Sequence, residues 1–118
     1  AFAKYFIGTS YLNGLVSPDD NIDVNVSNVN FEPGCRNNWH IHHDGFQILL
    51  VTAGEGWYQE EGKPAQLLKP GDVVAIHEGV KHWHGATKDS WFSHIAITKG
   101  TSEWCEEVDD ATHSRLSD

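Results

Sequence analysis

The sequence predicts an all-β domain, a barrel or a sandwich of eight or more short strands. Strand formers dominate in runs such as "ILLVTA" (48–53) and "DVVAIHEG" (72–79). Eleven glycines and short polar clusters cut the chain every few residues, at the turn spacing of sheet proteins. At 118 residues there is enough chain for one hydrophobic core and not for two, so 1–118 is read as one domain.

The elements follow in order. "KYFIGTSYL" (4–12) reads as an edge strand, ended by a turn at "SPDD" (17–20). "IDVNVSNVNF" (22–31) alternates apolar and polar, with a slip of phase between Val26 and Val29 that a bulge or bend would produce. "EPG" (32–34) is a turn, and 36–43 and 46–53 are strands joined by a tight "HDGF" turn. "WYQ" (57–59) lies between turns at "GEG" and "EEGKP", and "KPGD" (69–72) carries the Pro-Gly pair of a type II turn. "VVAIH" (73–77), "EGVKHWHGA" (78–86) and "SWFSHIAIT" (90–98) supply the remaining strands. The polar, acidic remainder, 99–118, is expected to form one helical turn around Trp104 and then a tail. There is no solenoid repeat and no low-complexity segment.

A formal charge of −9 with only eight basic residues argues against a nucleic-acid or acidic-membrane surface. Cys35 and Cys105 form no metal-finger or redox spacing; they read as two buried or half-buried thiols, with one long-range disulfide as the alternative. The first residues are broken by polar side chains and contain no continuous apolar signal core. Nothing approaches the ~18 apolar residues of a membrane span, so a soluble, cytoplasmic protein is expected.

The chemistry sits in the histidines. His40 and His42 are two apart on a strand and leave the same face, with Trp39 and Ile41 on the other. "KHWHG" (81–85) repeats the arrangement with His82 and His84 about Trp83. Gln47 follows the turn and faces back toward the first pair, with Leu49 and Val51 enclosing its side. A lone buried histidine is most often a hydrogen-bonded core residue. Two His-x-His pairs facing one interior are hard to explain by packing. Three neutral imidazoles meeting at a point suit a divalent first-row ion.

The spacing resembles the cupins. Their first motif, G-x5-H-x-H-x(3,4)-E-x6-G, is matched by Gly34, His40, His42 and Gly54, with Gln47 in place of the glutamate. Their second, G-x5-P-x-G-x2-H-x3-N, is matched by Gly71, Gly79 and His82, with His77 and Ala86 in place of proline and asparagine. The motif core runs from 34 to 86 and the last barrel strand over about 90–98. The resemblance implies a double-stranded β-helix, the jelly-roll barrel, with a short acidic C-terminal segment. It further implies one divalent transition-metal ion held by His40, His42, Gln47 and His82. The chain is most similar to small single-domain bacterial cupins with three histidines and one glutamine. Some of these are manganese-dependent hydroxynitrile lyases, and others are associated with carboxymuconolactone decarboxylase-type proteins. Manganese is therefore the expected ion, with iron, zinc or nickel as alternatives.

A glutamine in the glutamate position leaves the site's charge near +2 instead of +1, which favours polarisation of a bound hydroxyl and binding of an anion. If Gln47 does not ligate, its role is to hydrogen-bond a bound water. His84 and His94 match histidines that lie by the substrate in the lyases, and they are the candidate catalytic bases; otherwise they orient the ligands. Two departures stand out: Thr98 replaces a glutamine that assists in the lyases, and the His42–Gln47 connection is one residue longer. His43 is expected outside, and His77 and His113 carry no functional signal.

The leading reading is a metal-dependent lyase or related enzyme acting on a small oxygenated molecule. An Fe(II)-dependent dioxygenase and a non-catalytic small-molecule or metal-binding cupin are the alternatives. A homodimer is expected by analogy, with "KYFIGTSYL" available to a partner's sheet.

Overall fold

The computed structural model describes residues 6–19 and 21–115. The described residues form ten strands: β1 (Phe6–Ile7), β2 (Ser10–Val16), β3 (Asn25–Phe31), β4 (Arg36–Asn37), β5 (His40–Gly54), β6 (Gly56–Glu60), β7 (Gln66–Leu68), β8 (Val73–Ile76), β9 (His82–Ala86) and β10 (Phe92–Trp104). One short helix, α1 (Asp110–Arg115), follows. The strands form a single curled sheet in the order β1-β4-β9-β5-β10-β3-β2, all pairs antiparallel. β6 and β7 branch from β9, and β8 pairs with β5. This is the jelly-roll fold expected from the sequence.

The sheet curls around residues that alternate inward along each strand. Ser27, Val29 and Phe31 of β3, Leu49 and Val51 of β5, and Phe92, His94 and Ala96 of β10 are buried. Phe31 and Phe92 stack with centroids 5.9 Å apart, closing the apolar end of the interior. Each large apolar side chain among them, such as Leu49 or Phe31, contributes roughly 2 kcal/mol by leaving water.

The expected "HDGF" turn is absent, and β5 runs unbroken for 15 residues. His42 and Gln47 are five apart, so in a regular strand they would face opposite ways. Here Thr98 pairs with Gln47 and Lys99 with Phe46, while Thr101 pairs with His43. Asp44 and Gly45 therefore stand opposite the single residue Gly100, a β-bulge that restores the face. Asp44 has φ 59° and Gly100 φ 96°. A Cβ on Gly45 would overlap the Lys99 carbonyl, and one on Gly100 the His43 carbonyl. The close approach of two backbones needs glycine on both sides.

Four other expectations change. The slip in β3 is no bulge: β3 pairs in unbroken register with β10, Ser27 points inward and Val26 to the other face. The irregularity lies in its neighbour β2, between Gly14 and Val16. "KYFIGTSYL" divides into β1 and β2, with Lys4 and Tyr5 outside the described residues. Strand 36–43 breaks after Asn37. Trp104 forms no helical turn; it ends β10, paired with His40.

The C-terminal segment is a folded cover over β4 and β9. Arg36, 4% exposed, donates from Nε to the Val108 carbonyl (2.9 Å) and from Nη2 to Asp110 (2.6 Å). Asp109 caps α1 by accepting the Thr112 N–H, and His113 Nε2 lies 2.8 Å from the Ala86 carbonyl. This buries β9 on both faces, Trp83 included. The two cysteines are free thiols, as expected, and burial pushes Cys35 up to about 12. Among the described residues no helix is long and apolar enough to cross a membrane.

Gly100→Ala is expected to cost about 2 kcal/mol or more in urea unfolding, because it strains φ and drives the strands apart at the bulge. An unchanged midpoint would show that the bulge can relax.

Candidate metal centre and cavity

Three ladders bring the histidines together. β5 carries His40, His42 and Gln47; β9, paired to it at His40 and His82, carries His82 and His84; β10, on the other side of β5, carries His94. They meet at a cavity of about 400 Å³. Val29, Phe31 and Ala96 contribute apolar lining, and Ser27, Asn37, Gln47, Thr98 and Ser102 supply polar groups. His40, His42, His84 and His94 line it, whereas His82 lies behind His40, fully buried.

The ring centroids of His40 and His82 are 4.2 Å apart, and His42 is 5.1 Å from each. His40 Nδ1 faces the Asn38 carbonyl at 2.8 Å, and His82 Nδ1 the Val80 carbonyl at 3.0 Å. A carbonyl only accepts, so each Nδ1 carries the proton and each Nε2 keeps its lone pair. His82 Nε2 is buried with no hydrogen-bond partner among the described residues. A buried acceptor left in that state is expected to bind something. Gln47 donates from Nε2 to Thr98 Oγ1 (3.0 Å), which turns its Oε1 toward His42 Nε2, 3.1 Å away. Ser102 Oγ approaches His42 Nδ1 at 3.3 Å. Three neutral imidazoles and an amide oxygen fit a divalent first-row ion.

A second grouping overlaps the first, since the donor atoms of His40, His82 and His84 lie within 4.8 Å of one another. His84 is engaged otherwise: Asn37 Nδ2 is 3.1 Å from its Nε2, and His94 Nε2 is 3.3 Å from its Nδ1. His42 Nε2 instead faces Gln47 Oε1, an oxygen that can itself donate to an ion, whereas His84 Nε2 faces an NH₂ group that cannot.

Burial is the main cause of every histidine shift here. It lowers His40 and His84 well below the usual imidazole range, His82 to about 4, His94 to about 3, and His42 by a smaller margin. All five are neutral at neutral pH, the form that binds metal. His94 and His84 are consequently much weaker bases than free histidine.

His43 faces outward, 2.7 Å from Glu103, and His77 is exposed just beyond β8. Sequence reasoning missed Asn37, Ser102 and Trp104, whose ring lies 4.7 Å from His40. Asn37 had no periodic signal, and the other two lay beyond the last expected strand, where a helical turn around Trp104 was expected.

Residues 27–98 match the cupin domain family. The chain is 41% identical over 117 residues to an (R)-mandelonitrile lyase of Granulicella tundricola, covering 96% of this chain and 88% of that one. It is 42% identical to a cupin-like protein of Thermotoga maritima, with TM-score 0.90 over 97% of this chain and 89% of the other. A predicted oxalate decarboxylase of the same organism, 22% identical, shares the fold with TM-score 0.74 over 81% of this chain and 84% of that one.

With a chelator present, stability is expected to fall as pH drops below 6.5. The unfolded chain then binds protons that the depressed histidines of the fold refuse. The loss completes near pH 4 for His82 and near pH 3 for His94. His82 alone amounts to about 3 kcal/mol. Urea midpoints from pH 7.5 to 5 measure it; a flat profile would mean that the rings already accept protons in the fold.

Proposed function

The chain belongs to the cupin family, and on that premise we propose that it is a metal-dependent lyase for a small oxygenated molecule. The observation that carries the reading is a cavity of about 400 Å³ whose lining brings His40, His42 and Gln47 together with the His84–His94 pair. We propose His40, His42, Gln47 and His82 as the ligands of one divalent ion, with manganese the first to test. The bound ion would supply a Lewis acid of net charge near +2, which polarises a hydroxyl or carbonyl oxygen.

The chain's own residues do the rest. Val29, Phe31 and Ala96 hold the substrate's hydrocarbon part and keep water away. His94 or His84 takes the hydroxyl proton. Both are weak bases in the free protein, so the transfer requires a hydroxyl already acidified by its surroundings. Cyanohydrin cleavage is the reaction to try first, given the lyase among its relatives. There the O–H proton passes to the imidazole, and the bond to the nitrile carbon breaks with its electron pair on cyanide. The imidazolium then returns that proton to cyanide, which regenerates the neutral ring and releases the carbonyl compound and HCN.

We also propose that two copies pair through the outer edge of β2, which ends the sheet and exposes Tyr11, Leu12, Leu15 and Val16. A monomeric native mass at low concentration would refute this.

Elemental analysis of protein purified without added metal or chelator is expected to give about one divalent ion per chain, lost in His40→Ala. The loaded protein should release benzaldehyde from (R)-mandelonitrile. His94→Ala or His84→Ala should slow it on the order of 100-fold. Full turnover in both variants would remove the proton-transfer role, and absence of any metal would remove the site. Oxygen consumption by the Fe(II) form alone would favour a dioxygenase.

A further inference from the structure

The β4–β9 ladder is short, and its end is where Asn37 acts. The Ala86 N–H donates to the Cys35 carbonyl (2.8 Å), and Arg36 pairs with Gly85. Past this point the chain leaves β4 to enter β5, which rejoins β9 at His40 and His82. A side chain takes the next rung: the His84 backbone N–H donates to Asn37 Oδ1 at 2.9 Å. Asn37 is 2% exposed, so it cannot turn to water.

That hydrogen bond has a consequence for the His84 ring. A backbone N–H can only donate, so the amide atom facing it must be the oxygen. Asn37 Nδ2 then necessarily faces the ring, where it lies 3.1 Å from Nε2 and 3.4 Å from Nδ1. An NH₂ group only donates. The nearer ring nitrogen, Nε2, must therefore accept, and the proton of neutral His84 sits on Nδ1. His84 Nδ1 is in turn 3.3 Å from His94 Nε2, which accepts, leaving the His94 proton on Nδ1. His94 Nδ1 is buried and has no partner among the described residues.

We propose that Asn37 is a positioning residue that fixes the tautomers of His84 and His94 and gives the pair a single hydrogen-bond direction, Asn37 to His84 to His94. The same contact occupies the His84 Nε2 lone pair and keeps this ring out of the ion's ligand set, although its nitrogens lie near those of His40 and His82. The ring assignments stand on hydrogen-bond geometry alone. Their effect on turnover rests on the lyase reading above.

Asn37→Asp is the informative substitution. A carboxylate still accepts the His84 backbone N–H, but it offers the ring an acceptor in place of a donor, which should move the His84 proton to Nε2. The readout is imidazole ¹⁵N NMR of the zinc-loaded protein, with His84→Ala and His94→Ala giving the assignments. Wild type is expected to show both rings protonated at Nδ1 and unprotonated at Nε2, and Asn37→Asp to show His84 protonated at Nε2. In mandelonitrile cleavage the substrate's proton must then displace Asn37 from the His84 Nε2 lone pair, so Asn37→Asp, which protonates that atom, should lower kcat on the order of tenfold or more and leave KM within about threefold.

A wild-type His84 protonated at Nε2 would overturn the proposal without any variant, as would a tautomer that Asn37→Asp leaves unchanged. A reversed tautomer with unaltered kcat would overturn the catalytic consequence. The expected tautomers in a protein that does not cleave mandelonitrile would uphold the assignment while the lyase reading fails.

Discussion

At the middle of the molecule Gly45 and Gly100 let β5 and β10 approach so closely that neither tolerates a side chain. The bulge they allow is a change of parity. His40 and His42 face the cavity by ordinary strand alternation, and five residues separate His42 from Gln47. With an even spacing no correction would be needed. With this one, two residues of β5 must oppose one of β10, and Asp44 takes a positive φ to achieve it. The extra residue also lets β5 stay continuous, so β10 pairs with it from Phe92 to Trp104. Trp104 is thereby delivered against His40, and Ser102 against His42.

The second constraint is that five imidazoles share a poorly solvated interior. Charge there would be expensive, so all five are held neutral, and each neutral ring must place one N–H and one lone pair. Main-chain carbonyls fix His40 and His82, and the His84 rung to Asn37 fixes the third ring. His42 differs: it meets a hydroxyl, Ser102, and an amide oxygen, Gln47. An amide oxygen only accepts, so as placed His42 donates from Nε2 to Gln47 and accepts at Nδ1 from Ser102; binding an ion through Nε2 requires the proton to move to Nδ1, which the hydroxyl accommodates by turning from donor to acceptor. The proposed centre thus has a rigid half built on backbone and an adaptable half built on side chains.

The cavity also has apolar lining, and one residue of it reaches the core. Phe31 stacks on Phe92 and packs edge-on to His84, with His94 5.5 Å away. Cavity shape and histidine placement are therefore coupled through one ring. On the outer side, Arg36, Val108 and His113 clamp the C-terminal segment over β9, so the strand bearing His82 and His84 is held from both faces.

By itself the sequence determined the fold class and the inward set His40, His42, His82, His84 and His94. Strand alternation is local, and two His-x-His pairs survive any reasonable choice of strand ends. The cupin motif spacing placed Gln47 among them. What only tertiary structure decided was how that spacing is accommodated: "HDGF" has turn composition, and nothing local distinguishes a hairpin from a bulge until β10 is laid alongside. Asn37 and Ser102 were illegible for the same reason. Asn37 acts because a ladder ends beside it, and Ser102 because a strand expected to stop at 98 continues to Trp104. Both depend on partners 47 and 60 residues away in the chain, and no local pattern records such a distance.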